Sequence, residues 1–413
     1  MLVAVLGLSG LLLGTFAAPV AAETRLMARA ESLAFSALPA KVSARNKHVA
    51  SARALIEQAR ARKMGVTLSN PELTYELSVL RSGGAEHMVA LMQAFPLAGR
   101  LARQRELAHV DILKAALEVE RRVEELSAGL AQVYAQLLIN EAKADRLDNL
   151  LEHLRGLEAE LRLRIEQGQA APEELDSFLL ELAALEMEIF ALEDEEQNLR
   201  LELNSQLFVE DYTRLVTVDS LERVLRFLKH ATSQSETGLE ARRSDLKALA
   251  LDIDRAEKER ALARAARWGD VSVSIFATSD FEVDDGDTFG FSITVPLPFW
   301  NFGRAARHEA EASRTAALED YDGQLLRARN EVAAMARLSR RAADKCRLYD
   351  ERVLPVVERG YQAALTSFES GGLDAQGLFN ASRTRLLKLN ESSDCQGELI
   401  NALLKQKRAL GVL

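Results

Sequence analysis

The chain has 413 residues, with 52 Lys or Arg against 62 Asp or Glu and a net charge of −10. That acidity gives no reason to expect a nucleic-acid partner, and two cysteines, Cys346 and Cys395, make neither a disulfide framework nor a zinc pattern. Eight prolines and 6% aromatic residues fit a helix-rich protein.

Leu2 to Val20 is an apolar run that ends in Val20-Ala21-Ala22 before Glu23. This pattern predicts an export signal over residues 1–22. No Lys or Arg precedes Arg25, so the usual charged start is missing. The other reading is a membrane anchor, although Gly7, Gly10 and Gly14 interrupt the run. No later segment offers the roughly 18 uninterrupted apolar residues that a further spanning helix needs.

Glu23 to Gly65 reads as helix broken near Pro39, with an Ala-rich stretch from Ser51 to Arg62. After Asn70-Pro71 the period changes to two. Leu73, Tyr75, Leu77 and Val79 alternate with Thr74, Glu76 and Ser78, which is a strand signal. Arg81-Ser82-Gly83-Gly84 is a turn, and a second strand runs from Ala85 towards Leu97, stopped by Pro96. The first hairpin therefore spans about 72–97.

From Gly99 to Gln167 there is no proline. Leu126, Leu130, Val133 and Leu137, then Leu147, Leu150, Leu154, Leu157 and Leu161, recur at spacings of three and four. This is a coiled-coil-like seam, and a helix over 99–167 would be roughly 100 Å long. Gly168-Gln169-Ala170-Ala171-Pro172 breaks it. A return helix over 173–205 carries Phe178, Leu182, Leu185, Ile189 and Leu192 on one stripe. Residues 206–235 lose the period and predict short helices or small strands. A new helix covers about Glu236 to Arg267.

A second hairpin follows over about 270–299. Val271, Val273, Ile275 and Ala277 share one face of its first arm. Phe289, Phe291, Ile293, Val295 and Leu297 share one face of the second, with Ser292 and Thr294 opposite. Asp284-Asp285-Gly286-Asp287 is the turn between them. Another long helix is predicted over 303–371, with a kink at Pro355. Gly371-Gly372 is the next break, and a last helix covers 374–407.

The order helix, hairpin, long helix, break, return helix thus occurs twice, over 23–235 and 236–413. Gly99-Arg100 and Gly303-Arg304 close the two hairpins, and Gly168 and Gly372 mark the two breaks. One hairpin is not stable alone in water. Four strands cannot close a membrane barrel, which needs at least about eight, whereas three chains supply twelve. The arms have the length that crosses a bilayer when tilted. Trp268 and Trp300 bracket the second hairpin on its helix side, where tryptophans suit a membrane–water interface or simple junction packing.

With these elements in order, the chain resembles the outer membrane efflux protein family, the TolC-like channels. The residues that carry the likeness are Asn70-Pro71-Glu72-Leu73, the Gly-Arg after each hairpin, the two glycine-marked breaks, Asp245-Leu246, Asp270-Val271-Ser272 and Val353-Leu354-Pro355. Ile293 to Asn301 is most similar to the heavy-metal branch of that family, the CzcC- or CusC-like channels. The resemblance implies a mainly α fold with a small β part: a periplasmic α-helical barrel and a twelve-stranded outer-membrane barrel built by a homotrimer. It implies a passive duct with no catalytic residues and no cofactor. Its partners would be outer-membrane lipid, a periplasmic adaptor (membrane fusion) protein and, through the adaptor, an inner-membrane pump.

On that reading the adaptor-binding tip comprises Gly168, Gln169, Ala170, Ala171, Pro172, Glu173 and Glu174 with Gly371, Gly372, Leu373 and Asp374. Relatives can carry an acidic ring there. Here Glu173, Glu174 and Asp374 are the candidates, with Gly377 and Asn380 near positions where acids are expected. Phe289, Phe291, Ile293, Val295 and Leu297 would face lipid. Cys346 and Cys395 stand at similar distances, roughly 35–40 Å, on either side of the second break. They could form a disulfide in an exported protein, or stand as two buried thiols.

No His pairs with another His or a Cys at ligand spacing, so no metal site is expected. No Gly-x-Ser-x-Gly, Walker loop or His-Glu-x-x-His occurs. Two other functions fit parts of the pattern. A periplasmic adaptor or scaffold would explain the export signal and the long helices but not two matched hairpins. A cytoplasmic coiled-coil protein would require the N-terminal run to be a core helix. Drugs or other small molecules are the alternative cargo to metal cations.

Overall fold

The computed structural model describes residues 31–79, 85–168, 171–209, 215–231, 238–280, 287–297 and 302–412. The predicted export signal, both hairpin turns, Gln169, Ala170 and Trp300 lie outside the described residues or largely so.

A short strand β1 (Glu31–Leu33) leads into α1 (Leu38–Arg45) and α2 (Lys47–Met64). The expected break near Pro39 lies elsewhere. Pro39 sits in the first turn of α1, where its missing N–H costs nothing. The chain bends instead at Asn46, whose extended backbone and side chain cap α2 by accepting from the His48 N–H at 2.9 Å. Next come β2 (Glu72–Val79) and β3 (Ala85–Phe95), then α3 (Arg100–Glu166), 67 residues without interruption. The return helix α4 (Pro172–Leu207) has Pro172 in its first turn. β4 (Leu215–Thr217) and α5 (Leu221–Ala231) follow.

The helix predicted over 236–267 is two helices, α6 (Leu239–Arg242) and α7 (Ser244–Ala265), parted at the extended residue Arg243. β5 (Val271–Asp280) and β6 (Thr288–Thr294) form the second hairpin. The last long helix is broken. α8 (Arg304–Leu348) passes through a π-turn over Tyr349–Val353 into α9 (Leu354–Glu369). Pro355 explains this. It cannot donate to residue 351 and its ring crowds that carbonyl, and a widened turn absorbs both faults. α10 (Ala375–Leu410) completes the chain.

Two sheets result. β1 and β4 form a small parallel pair, with Glu31 opposite Leu215. The other four strands form an antiparallel sheet in the order β2-β3-β5-β6. The two hairpins are joined at β3–β5, where Phe95 lies opposite Val271. β2 and β6 are therefore free edges. Gly99 (φ 70°) and Gly303 (φ 66°) both take the left-handed conformation that turns the chain from sheet into helix, which a residue with a Cβ adopts at a cost.

The helices form an open row. Towards the sheet, α3 lies between α2 and α7, and α7 contacts α8. Away from it, α3 lies between α4 and α10, and α10 contacts α8 and α9. One apolar core lies midway, where Leu130, Tyr134, Leu137 and Leu138 of α3 meet Leu33, Leu203, Leu228 and Ile400. A second lies beyond it, formed by Leu147, Leu154 and Leu161 with Phe178, Leu182, Phe368 and Phe379.

Candidate functional site

The four-stranded sheet has no core. The strand registers put Leu73, Tyr75, Leu77 and Val79 in line with Val89, Leu91 and Phe95, then Val271, Val273, Ile275 and Ala277, then Phe289, Phe291 and Ile293. One face is thus largely apolar, with His87, Gln93 and Ser279 as its polar members. Among the described residues nothing covers it: Phe289 is 82% exposed and Phe291 74%. The opposite face carries Glu72, Thr74, Glu76, Glu86, Ser272, Ser274, Thr278, Ser292 and Thr294, interrupted along β3 by Met88, Ala90, Met92 and Ala94. On it Phe276 lies over Gly290, where a Cβ would strike the ring. Gly290 therefore leaves room for an aromatic ring on the polar face.

Val295 and Leu297, predicted to extend the lipid-facing row, lie beyond the end of β6 and are exposed. Pro296 separates them. It has no N–H to give to a ladder, and it is seated against Gly269 so closely that a Cβ there would clash. Below the sheet, Arg100 of the first repeat donates to Asp270 of the second at 2.5 Å, tying the start of α3 to the start of the second hairpin. Trp268 is partly exposed at the same level, under Arg267 (5.0 Å to the ring centroid).

At the other end, two helix turns form the tip. Gly168 ends α3 with φ 71°, and its counterpart is Gly371 with φ 76° rather than Gly372. Pro172, Glu173 and Glu174 open α4, all exposed. Both carboxylates sit in the first turn, where the helix dipole favours them. Asp374 is the N-cap of α10 and accepts from the Gly377 N–H at 2.8 Å. Its carboxylate is thus engaged in capping. Gly377 could not be replaced by an acid without disturbance, because a Cβ would meet Leu373 at 2.5 Å and Asp374 Oδ1 at 2.9 Å.

Under the tip, Phe178 and Phe379 meet edge to face (5.9 Å, 76°), and Arg164 lies 4.5 Å over the Phe368 ring. Arg383 bonds to Glu181 (2.8 Å) and Arg385 to Glu358 (2.6 Å), so α10 is tied to both neighbours there. The sequence reading missed these ion pairs and the aromatic pair. Only the stripe positions of Phe178 and Leu182 pointed towards the core.

A polar belt surrounds the middle. Tyr134 is fully buried, and its one hydroxyl proton is shared between the Leu33 carbonyl (2.9 Å) and Asp219 (3.2 Å), which also accepts from the Phe35 N–H (2.7 Å). Burial and the Asp219 charge push the Tyr134 phenol up. Burial likewise raises the Glu141 carboxyl, against the opposing pull of Thr217 and Arg200. Arg243, buried, bonds to Asp245, to Glu331 (2.8 Å) and to the Ala409 carbonyl (3.0 Å). Among the described residues no group of three or more His, Cys, Asp or Glu is placed to hold a metal ion, and no helix is long and apolar enough to cross a membrane.

An open sheet with a largely apolar face is set on an open row of very long helices. Residues 238–412 match the family model described as outer membrane efflux protein. The likeness to the outer membrane efflux protein family thus lies in the second repeat. No curated protein matches the chain in sequence. Its fold is similar to that of CusC, whose structures describe transmembrane channel formation (17% identity, TM-score 0.74, covering 91% of this chain and 92% of that one). It is similarly close to a membrane protein from Pseudomonas aeruginosa (18%, 0.75, 91% and 92%). The outer membrane protein VceC from Vibrio cholerae shares the fold over 91% of this chain and 96% of its own (16%, 0.69).

Proposed function

We propose that three copies of this chain close into a passive exit duct of a tripartite efflux system. The twelve strands line a pore through the outer membrane, and the helices form a periplasmic tube. The observation that carries this reading is the pair of unsatisfied edges on one chain. Among the described residues β2 and β6 have no outer neighbours, and the same chain leaves a largely apolar sheet face open. A free sheet edge invites pairing, and closure into a ring removes it. The outer face of α4 supports the same conclusion. Leu180, Met187 and Phe190 lie on one stripe, and Leu180 is 74% exposed. In a ring this stripe meets the next copy.

The duct has no chemistry of its own. Its tip, Gly168 to Glu174 and Gly371 to Asp374, is the docking end for a periplasmic adaptor that couples the duct to an inner-membrane pump. The cargo proposed is a heavy-metal cation, on the likeness of Ile293 to Asn301 to the metal branch, with CusC among the fold neighbours. Residues 1–22 are proposed to direct export.

The test places a charge on each sheet face. Arg at a lipid-facing midplane position costs about 2–4 kcal/mol per copy. Phe291→Arg is expected to lower the trimer recovered from outer membranes, while Ser292→Arg leaves it near wild type. Equal tolerance of both would sink the barrel reading. For cargo, a strain lacking the protein should become sensitive to metal salts. Sensitivity to drugs alone would remove the metal assignment and leave the duct.

A further inference from the structure

Cys346 and Cys395 are free thiols in this structure, both buried in the core midway along the helices, one on α8 and one on α10. The two helices run antiparallel, and hydrogen bonds set their register on both sides of the cysteines. Lys345 donates to Glu398 at 2.7 Å, and Tyr349 donates to Glu391 at 3.0 Å. Cys346 therefore stands opposite Cys395 across the packed pair of helices. The π-turn begins three residues after Cys346. Everything between the cysteines, including α9 and the second turn of the tip, forms one loop that a bond between them would close.

We infer that Cys346 and Cys395 form an intramolecular disulfide in the mature protein, stapling α8 to α10 beside the π-turn. The inference rests on the exported location proposed above, since a reducing cytosol would keep the thiols free. The step is a thiol–disulfide exchange. Both thiols give up their protons, two electrons pass to a disulfide-bearing oxidant of the compartment, and that oxidant leaves as a dithiol. Burial disfavours the thiolate at both residues, and the thiolate is the attacking species. The bond therefore forms while the helices close, and once formed it is shielded from reductants. It fixes the register of α8 on α10 just before the π-turn.

The experiment uses full-length protein extracted from outer membranes without reductant, denatured, and treated with a maleimide-polyethylene glycol. The expected result is no adduct before reduction and two after it. A non-reducing tryptic digest should contain linked peptides carrying Cys346 and Cys395. Cys346→Ser and Cys395→Ser should each give one adduct without reductant, on a chain that still reaches the outer membrane. Two adducts on unreduced trimer would overturn the disulfide while leaving the duct intact. A disulfide-linked chain dimer would overturn the intramolecular assignment. Recovery of wild-type chain only from the cytosol, with free thiols, would overturn both readings.

Discussion

The two long helices occupy matching places in the two repeats and are held by different forces. α3 runs unbroken for 67 residues and buries Leu130, Leu137, Leu147, Leu154 and Leu161 along its length. α8 buries only Ala310, Ala328, Val332, Ser339 and Cys346. Polar contacts hold it instead: Arg243 to Glu331, Gln324 to Asp245 (3.0 Å), Ser339 to Gln406 (2.6 Å) and Lys345 to Glu398. The cause is position in the row. α3 has helices on both flanks, so large apolar side chains lose water on both sides. α8 lies at the edge, where one flank must stay compatible with solvent or with the next copy. An apolar spine resists local rearrangement, whereas an edge helix held by small residues and ion pairs accommodates a π-turn.

The sharpest way to break the comparison is to give α3 the fault that α8 carries. Position 151 corresponds to Pro355 by the repeat offset, and Leu151 is buried. A proline inside a helix costs about 3 kcal/mol or more. Leu151→Pro is expected to abolish the folded trimer, as read by heat-modifiable migration on gels. Pro355→Ala should be tolerated, because the π-turn only relieves a strain that the substitution removes. Equal damage from the two would show that α3 and α8 are not held differently. Next in size is Leu154→Ala, which removes a fully buried side chain of the spine and should cost about 2–5 kcal/mol in chemical unfolding. Arg243→Gln tests the polar side. It leaves Asp245 and Glu331 without their cation, and because both carboxylates are partly exposed the loss should be smaller, about 1–3 kcal/mol.

The spine was legible in the sequence and the edge was not, for the same reason. Leu130 to Leu161 recur at helical spacing, and burial follows spacing when a helix is enclosed. Gly99 and Gly303 were legible as a repeated signal because each needs the same left-handed turn. The alternation of Phe289, Phe291 and Ile293 gave their shared face, but Pro296 hid the end of the strand from a reading based on alternation alone. β1 was read as helix because three residues, Glu31 to Leu33, have no local period and become a strand only by pairing with Leu215 to Thr217. The break at Arg243 carries no Gly or Pro. It is set by a network reaching Glu331 and Ala409, far away in the chain. At the tip, Asp374 was visible as an acid but not as a cap, since capping depends on where α10 begins.

The smallest expected effect isolates the polar side of the comparison by pH. Burial alone would raise the Asp245 carboxyl, but hydrogen bonds from Arg243 and Gln324 outweigh it and bring the group down to about 2 from an ordinary 3.8. A carboxyl depressed in the folded state adds stability above its unfolded pKa. That contribution is lost as pH falls through the folded value. The window here runs from about pH 4 to pH 2, and partial exposure holds the amount to about 1 kcal/mol. Other carboxylates titrate in the same range, so the quantity to follow is the difference between wild type and Asp245→Asn. The difference in unfolding midpoint should be constant from pH 7 to about pH 5, then shrink towards zero near pH 2. A gap that stays constant down to pH 2 would show that Asp245 holds α8 by shape and hydrogen bonding that Asn retains or loses regardless of charge. The edge helix would then be fastened by hydrogen bonds that do not depend on charge, rather than by ion pairs.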